Sequence, residues 1–217
     1  MIRSIEEIKA QVKLIDKNVS GIVRLGASIF FTEYVLPTLI EEFKKEYPET
    51  GFSISTGSSQ QIYNELSENE IHIGFLRGDY EWNEEKHLLF EGKLCLVSKS
   101  PIDYNNLPKM GMIDYKKGYV HKDLIEQWWV DTFDNPPSIS MEVDNTQICK
   151  EMILKNLGYG ILPYIMIEDI KDDLTVIDLT TKNGKPITRN SWMYFRAEAL
   201  VNPAARAFIE FIENHNL

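Results

Sequence analysis

The chain has 217 residues and carries 33 acidic against 23 basic side chains, a net charge of −10. That length is ample for a buried core, as one large domain or as two small lobes sharing a chain, and a composition of 43% apolar and 26% charged residues is ordinary for a soluble globular protein. The field of such a chain repels a nucleic-acid duplex. Its basic residues form no run beyond pairs such as Lys44-Lys45 and Lys116-Lys117, so the chain alone is not expected to bind nucleic acid well.

A small anion is not excluded in the same way, because a cleft of backbone N–H groups has its own local potential. Apolar stretches such as Ile161–Ile167 are too short to span a bilayer, and that one contains Pro163. The opening MIRSIEEIKAQ lacks the apolar core and the small-residue cleavage site of a signal peptide, which predicts a cytoplasmic location and no membrane partner. Cys95 and Cys149 each sit inside an apolar pattern and read as buried thiols, not as a redox pair.

In chain order, Ser4 and Glu7 have capping-box spacing, and Ile5, Ile8, Val12 and Ile15 repeat at three and four. This narrow seam fits either the end of a linker or dimerisation helix or a helix lying on its own domain. After Gly21 strands and helices alternate: a strand over Ile22–Ala27, a helix over Thr32–Tyr47 stopped by Pro48, and a strand over Phe52–Thr56. A helix bearing Ile62, Tyr63 and Leu66 follows, then a strand over Ile71–Leu76. Leu88–Ser98 is long enough to cross between lobes. A second set then runs through a strand at Met110–Asp114, a helix over Val120–Phe133, a strand at Ser138–Val143 and a helix over Asn145–Asn156. Gly160–Leu162 and Leu174–Leu179 are apolar, Lys182–Lys185 is a turn, Ser191–Arg196 crosses back, and Pro203–Asn214 is the last helix. Strands joined by helices predict parallel sheets with ligand-facing loops at the carboxyl ends of their strands.

Small polar residues fall at those ends: Ser28, with its neighbour Ile29, after the first strand, Thr56 to Ser59 after the second, and Asp144 to Thr146 after the fifth. In a parallel sheet each spot opens a helix, where unpaired N–H groups favour an anion, although the same hydroxyls are good N-caps. Arg77, in FLRGD, is either a carboxylate partner or one half of a loop salt bridge. Enzyme signatures are absent. Gly57-Ser58-Ser59 lacks a nucleophile elbow, His72, His87, His121 and His215 are scattered away from metal-ligand spacing, and no phosphate or dinucleotide loop occurs. No catalytic residue, metal or cofactor is therefore expected.

GIVRLGAS, then LPTLIEEFKKEYPETGFSISTGSSQQIYNEL and EIHIGFLRG, resembles the opening of the effector-binding domain of LysR-type transcription regulators. GKLCLVSKSP, EVDNTQICKEMILKNLGYGILP and PAARAFIEFIENH are similar to the family's crossover strand, its helix ending in Gly-x-Gly and Leu-Pro, and its closing helix. The resemblance covers the chain from about Gly21 to its end. It implies an α/β fold of two Rossmann-like lobes with a ligand cleft, the type 2 periplasmic-binding-protein fold. Residues 1–20 would be the end of a linker helix, 21–97 and 193–217 the first lobe, and 98–192 the second.

By the same resemblance Ser28, Ser58 and Ser59 would hold a small-molecule effector from one lobe and Thr146 from the other, with Ile161 in the loop below the cleft. The effector would be a carboxylate or an amino acid that shifts the population of closed forms and re-spaces the subunits of a dimer or tetramer. Promoter DNA would be met only through an N-terminal winged helix-turn-helix that this chain lacks. Two positions depart from the pattern: His72 stands where the family has Asp, and Asn156 where it has Gly. A stand-alone solute-binding protein of the same fold is the alternative.

Overall fold

The computed structural model describes residues 19–115 and 121–215, so the seam from Ser4 to Ile15 lies outside the described residues. The strands are β1 (Gly21–Ser28), β2 (Thr50–Gly57), β3 (Ile73–Arg77), β4 (Glu85–Ser98), β5 (Gly111–Tyr115), β6 (Ser138–Val143), β7 (Tyr159–Pro163), β8 (Thr175–Asp178) and β9 (Thr188–Phe195). The α-helices are α1 (Ile29–Tyr34), α2 (Leu36–Glu46), α3 (Ser59–Ser67), α4 (His121–Thr132), α5 (Thr146–Leu154) and α6 (Pro203–Glu213). Two compact units share the chain. One holds the described residues up to Phe90 and from Asn190 onward, the other Glu91–Arg189, so the chain changes unit within β4 and within β9.

In the first unit β1 lies between β2 and β3, parallel to both, and β9 runs antiparallel along β3. The β1–β2 ladder keeps one register from Gly21 opposite Thr50 to Ser28 opposite Gly57. Every residue of β3 is buried, as a central strand covered on both faces requires. One face carries an aromatic core. Phe31 stacks on Phe75 at 4.5 Å, and Phe43 meets Phe208 edge-on at 4.9 Å and Phe52 at 5.9 Å. A fully buried side chain of this size contributes about 1.5–3 kcal/mol, so this cluster anchors α2 and α6 to the sheet. On the other face α3 sends down Ile62 and Leu66. It comes so close that a Cβ at Gly26 would lie 2.8 Å from Ile62 Cγ2.

The single helix expected over Thr32–Tyr47 is two. α1 begins earlier, at Ile29, because Ser28 accepts from Phe31 N at 3.4 Å and caps it. It ends at Val35, where φ −124° and ψ −51° leave helical geometry. Pro37 causes the break: it has no N–H for the carbonyl of Glu33, and it is tolerated only in the first turn of the next helix, where it sits.

In the second unit β5 is flanked by β6 and β7, parallel to both. β7 and β8 each pair antiparallel with β4. Gly160 on β7 admits α5: a Cβ there would stand 2.7 Å from Cys149 Sγ and 2.9 Å from Ile153 Cδ1. Trp128 and Trp129 are core residues of this unit, and the Trp128 indole donates to Thr180 O at 3.0 Å. α5 ends at Lys155 and Asn156 takes φ +59°, the left-handed position that Asn tolerates, while its side chain accepts from Ser100 Oγ at 2.8 Å. No helix among the described residues is long and apolar enough to cross a membrane.

His72 stands one residue before β3. Its N–H donates to Arg24 O at 2.8 Å, and its ring Nδ1 accepts from Arg24 N at 3.1 Å. A carboxylate could fill the same acceptor role. Burial, and then the Arg24 charge, lower its pKa below the ordinary histidine value. Native His72 therefore resists the proton that the unfolded chain accepts, so its contribution is complete above about pH 6.5 and is lost as pH falls. Urea midpoints measured from about pH 7.5 down to about pH 5 should decline for the native sequence. The decline should be shallower for H72N, which cannot be protonated.

Burial pushes both thiols up to about 12, with Cys95 also donating to Asp178 Oδ1 at 3.3 Å. Thiolates are the reactive species. An aromatic disulfide reagent near neutral pH should leave both cysteines untouched in the folded chain and modify both once guanidinium unfolds it. Reaction of either in the native state would contradict this packing.

Candidate functional site

The strand-end residues of the first unit are brought together by its parallel ladders. Ser28 closes β1 and faces Gly57 at the close of β2. Ser58 caps α3 by accepting from Gln61 N at 3.2 Å. Ser59 accepts from Arg77 N at 3.1 Å, which ties the start of α3 to the end of β3. Between the first two ends, Thr32 donates to Ser28 O at 3.2 Å, and its hydroxyl lies 3.4 Å from that of Thr56. Five hydroxyl-bearing positions and Arg77 thus gather at the carboxyl ends of β1, β2 and β3.

Capping and ligand binding are compatible here. A serine oxygen that accepts from a backbone N–H keeps its own O–H to donate. Ser28 is buried, Ser59 half-buried, and Ser58 exposed. Ile29, the first residue of α1, is 46% exposed.

Arg77 is 3% exposed, and its guanidinium carbon lies 3.9 Å from the centre of the Phe30 ring. Such a stack contributes about 0.5–2 kcal/mol and holds the planar group in a fixed attitude. Asp79, beyond Gly78 with its φ of +95°, is exposed. Phe31 is in the aromatic core, and Phe30 is the member of the pair beside Arg77.

In the second unit Thr146 is the first residue of α5, half-buried, and among the described residues its hydroxyl makes no hydrogen bond. The cap is its neighbour: Asn145 Oδ1 accepts from Ile148 N at 2.9 Å. Thr146 is thereby left with an uncommitted hydroxyl beside a helix N-terminus. Ile161 is not in the loop that the resemblance implied: it lies at the middle of β7 with its side chain fully buried, and its carbonyl accepts from Tyr115 OH at 3.2 Å.

Two features escaped sequence reasoning. The Thr32–Thr56 contact had a signal, a Thr four residues after a capping Ser. Ser191, fully buried on β9 opposite Arg77, had none, because a lone serine in a strand reads as its solvent face. Among the described residues there is no cluster of three or more His, Cys, Asp or Glu that could hold a metal ion.

Comparison with known proteins fits this layout. A family model described as LysR substrate binding domain matches residues 16–216. An uncharacterized HTH-type transcriptional regulator of Bacillus subtilis, YraN, is 34% identical over the full chain, which spans 75% of that protein. A second from the same organism, YkuM, is 27% identical over 96% of the chain and 72% of its own length. Among solved structures, the regulatory domain of HypT from Salmonella typhimurium superposes with a TM-score of 0.74 at 17% identity, covering 90% of this chain and 95% of that one. The effector binding domain of QuiR in complex with shikimate gives 0.68 at 18% identity, covering 91% and 100%. These likenesses establish the periplasmic-binding-protein-like type 2 fold, and the relatives are transcriptional regulators instead of stand-alone solute-binding proteins. The chain belongs to the LysR family of transcriptional regulators, as their substrate-binding domain.

Proposed function

We propose that this domain senses a small anionic metabolite, a carboxylate or an amino acid, through the strand-end residues Ser28, Ile29, Ser58, Ser59 and Arg77 of its first unit. The observation that carries the reading is the convergence of three serine hydroxyls and one buried guanidinium on neighbouring ends of β1, β2 and β3. Donors of that kind suit an oxyanion. The net charge of −10 does not oppose it, because a local array of N–H, O–H and guanidinium donors governs the potential where the ligand sits. The shikimate named for QuiR is a hydroxylated carboxylate, which this donor set would accept. Thr146, with its uncommitted hydroxyl, is the second unit's candidate.

The domain acts as a receptor and not as an enzyme. It needs no cofactor, and it works in the cytoplasm as part of a homodimer or tetramer. Promoter DNA is contacted by the winged helix-turn-helix of the full-length regulator, and effector binding changes the spacing of subunits that the DNA reads. The HTH-type names of the relatives support that division of labour.

A thermal-shift screen of amino acids, organic acids and aromatic acids identifies the ligand, since a binder of the folded state raises the melting temperature. With a hit in hand, Ser28→Ala and Thr146→Ala are each expected to weaken affinity about tenfold, the loss of one hydrogen bond to a charged group. Thr146→Ala is expected to leave the melting temperature of the free protein nearly unchanged, whereas Ser28→Ala also removes the cap of α1 and is expected to lower it, by a cost of about 1 kcal/mol. Unaltered affinity in both variants would rule out this assignment.

A further inference from the structure

Ser191 is a buried polar residue that the domain's own structure leaves unused. It is 0% exposed, and its hydroxyl has no hydrogen-bond partner among the described residues. A buried hydroxyl is normally satisfied, so one that no protein group satisfies takes its partner from outside the chain, a water or a ligand. Its place in the sheet says which. β3 and β9 pair antiparallel with Arg77 opposite Ser191. Gly78 N donates to Asn190 O at 2.9 Å, which makes 78 and 190 the hydrogen-bonded pair and 77 and 191 the non-hydrogen-bonded pair beside it. In such a pair the facing Cα atoms stand about 4.5 Å apart and the side chains leave the same face.

We infer that Ser191 is a specificity-determining residue for the effector, donating its hydroxyl to one oxygen of a carboxylate whose charge is met by Arg77. The inference rests on the reading that the first unit's strand ends bind an anionic effector. It adds the position and the chemistry of the anionic end. The guanidinium lies 3.9 Å from the Phe30 ring, with its plane fixed, and Ser191 supplies a second donor from the neighbouring strand. A planar acid group with two oxygens meets both donors with charge, whereas a neutral amide or alcohol of the same shape brings no charge to the guanidinium.

The test uses the whole domain and two simple probes, acetate and sulfate, titrated against chloride at constant ionic strength with the melting temperature and calorimetric affinity as readouts. Threonine and valine differ by a hydroxyl against a methyl at nearly equal volume, so Ser191→Thr and Ser191→Val form a matched pair. Ser191→Ala serves as the variant with least packing risk. The native domain is expected to be stabilised by the probes beyond chloride. S191T is expected to keep that response, while S191V and S191A lose about tenfold in affinity and S191A melts no lower than the native domain without anion. Equal affinity in the native domain and S191A, with the response abolished by Arg77→Met, would overturn the role of Ser191 while leaving the anionic-effector reading in place. No response of the native domain to either probe would overturn both.

Discussion

The first unit is organised by the eight-residue parallel ladder between β1 and β2, which holds one register from Gly21–Thr50 to Ser28–Gly57. Because the strands run in the same direction, both deliver the chain to the same edge of the sheet, and each turns there into a helix that needs a cap. Ser28 and Ser58 meet that need. A shift of one residue would turn every side chain to the opposite face. Phe52 would leave the aromatic core, and the residues now gathered at the strand ends would no longer meet. Apolar packing along the ladder thus fixes the polar groups at its end, and the binding chemistry depends on the core.

Glycine controls how closely the helices approach. Gly26 under Ile62 in the first unit and Gly160 under Cys149 and Ile153 in the second are places where a methyl group would collide with the helix above. Overpacking of this kind typically costs about 1–3 kcal/mol. The approach at Gly26 seats α3 so that Ser59, in its first turn, reaches the backbone N–H of Arg77. A backbone position chosen for packing thereby determines a distance at the proposed site.

Much of this was legible along the chain because it is local. Alternation in FSIST, the Tyr-Pro stop after α2 and the hydroxyls before α1 and α3 each report on a few consecutive residues, and the elements appear where those patterns put them. The division of one helix into α1 and α2 was readable in Pro37, whose missing N–H prohibits a continuous ladder, but the apolar spacing of Leu36, Leu39, Ile40 and Phe43 outweighed it. Which of Asp144, Asn145 and Thr146 caps α5 was open in the sequence, because adjacent polar residues are equivalent until the helix start is known; it is Asn145. What could not be read is non-local. The environment of Arg77 depends on which ring lies over it and on which residue of a strand more than a hundred positions later faces it.

The same non-locality explains why an uncommitted hydroxyl can persist. A buried hydroxyl without a partner costs about 1–3 kcal/mol, an appreciable part of the stability of a domain this size. In Ser191 that cost sits beside a guanidinium packed against an aromatic ring, at a strand end where other hydroxyls converge. Stability alone would favour an alanine, which fits the space and needs no partner. A serine kept there is intelligible if the partner is supplied from outside, and the cost borne by the empty domain then becomes part of its affinity for the ligand that removes it. A receptor whose free state is slightly destabilised at the binding position responds more strongly to its ligand than one already satisfied, because differential interaction with the two states is what shifts a population.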